Sequence, residues 1–243
     1  MSEVLRTVSL TKKFGSIEAV NNLSFSLSNS SITALLGGNG AGKTTTISML
    51  LGLLLPSSGK IEIFGEDFVK NRYPALGKMN FSSPYVDLPQ RLTVKENLSV
   101  YAKLYGLADQ KGAVLKMLET FKLAEFANRR VRNLSAGQKT RVSLAKAFIN
   151  DPKLLLLDEP TASLDPETAR WVRDFLMVYK KKSNATILLA SHDMKEVEQL
   201  CERVILLKNG KLVEEGSPNA LLDKYDRKTL EDVFLDISKG NSG

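Results

Sequence analysis

The eight residues GGNGAGKT at 37–44 constrain this 243-residue chain more than any other stretch. Their spacing, G-x-x-x-x-G-K-T, fits a loop whose backbone N–H groups turn inward around phosphate oxygens. Gly37, Gly40 and Gly42 permit a tight backbone path and close approach of a ligand. Gly38, Asn39 and Ala41 complete the cradle. Lys43 can reach β- and γ-phosphates as a point charge, Thr44 offers a hydroxyl to Mg²⁺, and Thr45 adds a donor. Both flanks agree. Residues 31–36 (SITALL) read as a buried strand, and residues 44–55 as a helix stopped by Pro56. The loop therefore presents a phosphate to a helix N-terminus, where free N–H groups and the helix dipole favour an anion.

Three further stretches gain meaning from this one. In KLLLLDEP (153–160), four leucines in a row suit a strand buried on both faces of a parallel sheet. Such strands present ligands at their carboxyl ends. Asp158 and Glu159 at that end point in different directions, so one can hold Mg²⁺ while the other faces an attacking water; two surface charges after a core strand are the plainer alternative. Residues 186–191 (TILLAS) read as another buried strand, and His192, the single histidine of the chain, comes directly after it. Asp193 and Glu196 there have N-cap and capping-box spacing. In LSAGQ (134–138), Ser135 and Gln138 have the same spacing, and KTRVSLAKAFI continues as a helix ended by Asn150, Asp151 and Pro152. LSAGQ is thus either an ordinary capped helix or a second anion site with a free hydroxyl.

In this order the motifs resemble the nucleotide-binding subunits of ATP-binding-cassette (ABC) transporters over roughly residues 3–220. The resemblance implies an α/β P-loop ATPase fold. It has a mostly parallel core sheet, an N-terminal antiparallel β subdomain and an inserted helical subdomain. It implies one domain over 1–243, with the core at 1–90 and 150–220, the helical part at about 91–149 and a tail at 221–243. Residues 92–98 (LTVKENL) mark entry to the helical part. Thr93 and Glu96 form a capping box there, and Val94, Leu98, Tyr101 and Tyr105 share a helix face. GGNGAGKT becomes the Walker A loop, LLLLDEP the Walker B strand and Asp165 part of the D-loop. Glu159 becomes the catalytic carboxylate and His192 the histidine at the γ-phosphate. Ser135, Gly137 and Gln138 become the signature that caps ATP held by a second copy. Phe14 matches the aromatic that stacks on adenine; a core aromatic is the alternative. The family's usual glutamine between core and helical subdomain falls on Pro84. Ser83, or else Ser82, is expected to substitute at the metal, and the isolated subunit is expected to be a weak ATPase.

LEDVFLDI (230–237) resembles the ending of subunits that drive export of drugs, lipids or polysaccharides; a generic amphipathic helix is the alternative. With 43% hydrophobic residues, the chain can bury one large core and a small lobe. Its single cysteine excludes a disulfide framework and suits a reducing compartment. No apolar run approaches the roughly 18 residues that span a bilayer, and no signal peptide is expected. A transport pore is therefore expected in a separate membrane-spanning chain, with this one on the inner, cytoplasmic face. The net charge of +7 admits nucleic acid or an anionic membrane face. An ABC-type ATPase acting on nucleic acid or translation is the competing reading. It is disfavoured because the long coiled-coil insert, paired cassettes and zinc cysteines of those relatives do not occur, and no nucleic-acid partner is expected. A homodimer or heterodimer of ATPase subunits using ATP and Mg²⁺ is expected.

Overall fold

The structure, a computed structural model, describes residues 3–83 and 88–239. Pro84 lies outside them. The chain begins β1 (Glu3–Phe14), β2 (Ile17–Ser28), β3 (Ile32–Gly37), α1 (Lys43–Leu50), β4 (Ser58–Ile63), β5 (Glu66–Asp67), α2 (Tyr73–Leu76) and β6 (Met79–Ser82). Three helices come next, α3 (Val94–Leu104), α4 (Gln110–Thr120) and α5 (Ala136–Ala147). It then alternates β7 (Leu154–Asp158), α6 (Pro166–Ser183), β8 (Thr186–Ala190), α7 (Met194–Leu200), and ends β9 (Arg203–Lys208), β10 (Lys211–Gly216), α8 (Pro218–Tyr225), α9 (Leu230–Lys239).

Among the described residues, β2-β1-β4-β5 form an antiparallel sheet and β10-β9-β3-β8-β7-β6 a six-stranded one. In the second sheet β9, β3, β8, β7 and β6 run parallel, and β10 joins antiparallel at the edge. The leucine run explains itself here. Leu154 and Leu156 enter the hydrophobic cluster shared with β1, β2, β4 and α1, while Leu155 and Leu157 enter the one shared with α3 to α6. Side chains alternate along a strand, so burial on both faces demands an apolar residue at every position.

The helix after the phosphate loop is shorter than its sequence suggests. It ends at Leu50, not Leu55, because Gly52 takes φ 70° and reverses the chain against the Phe68 ring. A left-handed residue ends a helix well before Pro56 is reached. The expected strand 31–36 is β3, one residue later, and the capping box of Thr93 and Glu96 is present in full. Val94 and Leu98 are buried, with Tyr101 and Tyr105 packed against the same cluster.

Candidate nucleotide site

Parallel strands end together, so the residues just past each strand gather at one edge of the sheet. After β3 comes the glycine loop, at the end of β7 Asp158 and just past it Glu159, after β8 Ser191 and His192, and after β6 Ser83. An open cleft of about 1070 Å³ at this edge is lined by Gly37, Gly38, Asn39, Lys43, Thr44, Asp158, Glu159 and His192, with part of α9. Gly40, Ala41, Gly42 and Thr45 line a second hollow on the outer side of the same loop.

Gly42 has φ 101°, and a Cβ there would sit 2.6 Å from the Ala19 carbonyl oxygen. Only glycine fits such a close backbone approach. Lys43 Nζ donates to the carbonyls of Gly37 at 2.5 Å and Gly38 at 3.2 Å. Its partial burial holds the ammonium below the ordinary lysine value, and Glu159 and Asp158 oppose that shift. Asp158 is half-buried, which pushes its carboxyl above the usual carboxylate range. Ser83 Oγ donates to it at 3.1 Å, and with Lys43 pulls it back. Ser82, by contrast, pairs with Ser143 of α5 at 2.9 Å.

Glu159 has φ 49°, a left-handed conformation costly for a side-chain residue. Its N–H donates to the Ala190 carbonyl at 2.8 Å, and its Oε1 meets His192 Nδ1 at 2.7 Å. That pairing raises the affinity of His192 for a proton, and the imidazole is otherwise largely exposed. Asp193 caps α7 as its spacing suggests, accepting from the Lys195 and Glu196 N–H groups. Glu196 does not complete the box. It turns inward, 1% exposed, and accepts from Thr161 Oγ1 at 2.8 Å and Ser191 Oγ at 2.7 Å. Burial raises its carboxyl, and these two hydroxyls oppose the rise. Thr161 does not stand out in the sequence, and the capping spacing that singles out Glu196 points to the wrong role.

The signature residues are not brought to this cleft. Ser135 caps α5, with Gln138 returning the bond at 3.0 Å, and both are absent from the lining. Gly137 lies against the Ser163 carbonyl of the same chain. Asp165 caps α6 through Thr168, whose hydroxyl also receives Arg141 Nη2. Phe14 is 50% exposed and belongs to neither core cluster, so the core-aromatic alternative falls. It pairs in register with Ile17, which borders the outer hollow. On the far side of β6, Lys146 of α5 is 4% exposed. Its Nζ donates to the Phe81 carbonyl at 2.6 Å and lies 4.1 Å from the Phe81 ring centre and 5.5 Å from that of Tyr101. Burial pushes it down to about 8.

A glycine-rich anion loop, two carboxylates and an imidazole at one sheet edge suit a triphosphate. Comparison with known proteins gives the family. The chain is 41% identical over 98% of its length to the bacitracin transport ATP-binding protein BcrA of Bacillus licheniformis, covering 78% of that protein. It is 39% identical over 92% of its length to the Nod factor export ATP-binding protein I of a Rhizobium species (strain N33), covering 74% of it. It superposes with a TM-score of 0.81, at 25% identity, on a dimeric ATP-binding cassette in a post-hydrolysis state with ADP and Pi, covering 88% of this chain and 98% of that one. The family model for ABC transporters matches residues 20–162. The chain therefore belongs to the ABC transporter family, as one of its ATP-binding subunits.

Proposed function

We propose that this chain is the motor of an exporter: two copies, or this chain and a similar one, sandwich two ATP molecules and drive a separate membrane-spanning chain from its cytoplasmic face. One observation carries the reading. The triphosphate-side groups Lys43, Asp158, Glu159 and His192 share a cleft, while Ser135 and Gly137 head a helix that does not line it. Each site is then half-built until a partner supplies its signature. Export is supported by the names of the relatives and by α9, whose sequence is the LEDVFLDI ending. Among the described residues no helix is long and apolar enough to cross a membrane, which fits a separate pore. The division into core 1–90 and 150–220, helical part 91–149 and tail 221–243 belongs to the same reading.

The loop amides and Lys43 hold the phosphates, Thr45 donates beside them and Phe14 stacks on adenine. Glu159 accepts a proton from, and orients, the attacking water. His192, held by Glu159, donates to the γ-phosphate oxygens as charge spreads over them. The work is positioning and electrostatics rather than covalent chemistry. The donor set fits Mg²⁺: Thr44, which carries a hydroxyl, lines the same cleft as Asp158, a half-buried carboxylate, and both are hard oxygen donors. Thr44, Asp158 and Ser83 would hold it, with phosphate oxygens and water supplying the remainder. When bound it neutralises phosphate charge.

The test is complementation. Ser135→Arg and Lys43→Ala subunits are each expected to be inactive alone. Mixed, they leave one intact composite site per heterodimer and regain part of the ATPase. A mixture that dimerises and stays inactive refutes the sandwich.

A further inference from the structure

Thr161 sits between two residues held in the left-handed region, Glu159 at φ 49° and Ser163 at φ 66°. Neither is glycine, so this stretch persists only where its surroundings fix it from several sides. Two restraints are local: the Ala162 N–H reaches the Glu159 carbonyl, and the Leu164 N–H reaches the Thr161 carbonyl. Two come from other elements: the Glu159 N–H reaches the Ala190 carbonyl of β8, and the Thr161 hydroxyl donates to Glu196 on α7. The second oxygen of Glu196 takes the hydroxyl of Ser191, which in turn accepts the Asp193 N–H. His192 stands between these two residues.

We propose that Glu196 is a positioning residue for ATP hydrolysis. Its two carboxylate oxygens tie the loop that starts at Glu159 to the loop that carries His192. The two groups at the γ-phosphate, and the Ser163 carbonyl beside Gly137, then keep one fixed relation. This rests on the reading of Glu159 and His192 given above. The chemistry calls for a carboxylate. Two hydroxyl donors converge from opposite loops, and an ionised acid is the side chain that offers an acceptor to each, through short charge-assisted bonds. Glutamine would meet one hydroxyl with its NH₂ group, forcing that hydroxyl to turn round and accept. Glu196 touches neither substrate nor the reacting atoms. It acts by denying Glu159 and His192 independent motion, and misplacement of a reacting group by about 1 Å can cost on the order of a hundredfold in rate.

Thr161→Val keeps the shape and removes the donor, whereas Thr161→Ser keeps the donor. Steady-state ATPase of the full chain and ATP affinity by fluorescent-analogue competition are measured for both, for Glu196→Gln, for the double variant Thr161→Val/Glu196→Gln and for Glu159→Gln. Thr161→Val is expected to lose roughly ten- to hundredfold in kcat with ATP affinity unchanged. Thr161→Ser is expected to restore the rate. The double variant should lose less than the product of the two single losses, since both changes act on the same tie. Thr161→Val with a wild-type kcat, a serine variant as slow as the valine one, or losses that multiply in the double variant each overturn the role. If Thr161→Val also loses ATP binding, Glu196→Gln decides: a lowered kcat at unchanged affinity supports the tie, and an unchanged kcat overturns it. Normal turnover by Glu159→Gln would sink the underlying site reading instead. An inactive Glu159→Gln beside a fully active Thr161→Val would sink only the tie.

Discussion

Replacing Lys146 by methionine removes a buried charge while keeping its length, and the surroundings of that charge set the expected result. The Nζ donates to the Phe81 carbonyl and lies over two rings, yet burial holds its pKa near 8. At pH 7 two effects oppose. Removing a charge whose pKa is depressed this far relieves roughly 3 kcal/mol, and losing a charged donor to a buried carbonyl costs about 1.5–3 kcal/mol. The sum at one pH therefore decides little, and the slope decides. The unfolded lysine keeps its proton to the ordinary value near 10.5, so between about 8 and 10.5 the unfolded chain binds more protons than the native one. Stability from this group then rises with pH across that window. Integrating from pH 7 to 9, wild type gains roughly 1 kcal/mol relative to Lys146→Met. That corresponds to about 2–4 °C in the difference between their melting temperatures. Cys201, Tyr101, Tyr105 and Tyr179 all have raised values from burial and lower stability toward alkaline pH. They are common to both proteins and largely cancel in the difference. Calorimetry at half-unit pH steps is the assay. Parallel curves from pH 7 to 9 would show that Lys146 titrates as an ordinary exposed lysine, and the argument from its burial would fail.

Glu159→Gln should retain ATP binding while kcat drops by roughly 10²–10⁴, and size exclusion should show an ATP-bound dimer accumulating; a mutant that hydrolyses at the normal rate removes Glu159 from its role. Phe14→Ala should weaken ATP binding by about 1–3 kcal/mol with little change in melting temperature, because an exposed ring leaves no core cavity. Loss of stability at unchanged affinity is the opposite result and would end the stacking assignment. Ser83→Ala should raise the Mg²⁺ concentration for half-maximal hydrolysis more than it alters metal-free nucleotide affinity, with Ser82→Ala smaller in effect because Ser82 is engaged with Ser143. An unmoved Mg²⁺ midpoint in both would separate this loop from the metal.

The features legible in the sequence are those that nearest neighbours determine. The glycine spacing, the leucine run and the Ser135 and Thr93 caps each arise from residues within a few positions of one another, and each appears where expected. The illegible features depend on partners far along the chain. The early end of α1 comes at Gly52, whose φ of 70° lies beside the Phe68 ring, so the room left for a side chain there is set by a residue 16 positions on. The inward turn of Glu196 depends on Thr161, 35 residues away, and its capping spacing misleads because Asp193 caps α7 without it. The burial of Lys146 depends on Phe81, 65 residues distant; in the sequence it reads as one more charged residue of an amphipathic helix. The strained backbone of Glu159 is set by its bond to Ala190 and leaves no local trace.

The placement of β3 bears on how the protein is born. This apolar strand, which carries the phosphate loop, pairs with β8 from Ile32–Ile187 onward on one side and with β9 from Thr33–Arg203 onward on the other. The first neighbour, β8, is made only some 150 residues later and the second, β9, some 170 residues later, about 10–30 s at ordinary rates of synthesis. Both edges of a buried-type strand are then open to wrong pairing on the ribosome. The N-terminal hairpin of β1 and β2 can form at once, whereas the phosphate loop cannot be held in shape until the last third of the chain arrives. Nucleotide binding therefore waits until β8 and β9 have been made to flank residues 32–37.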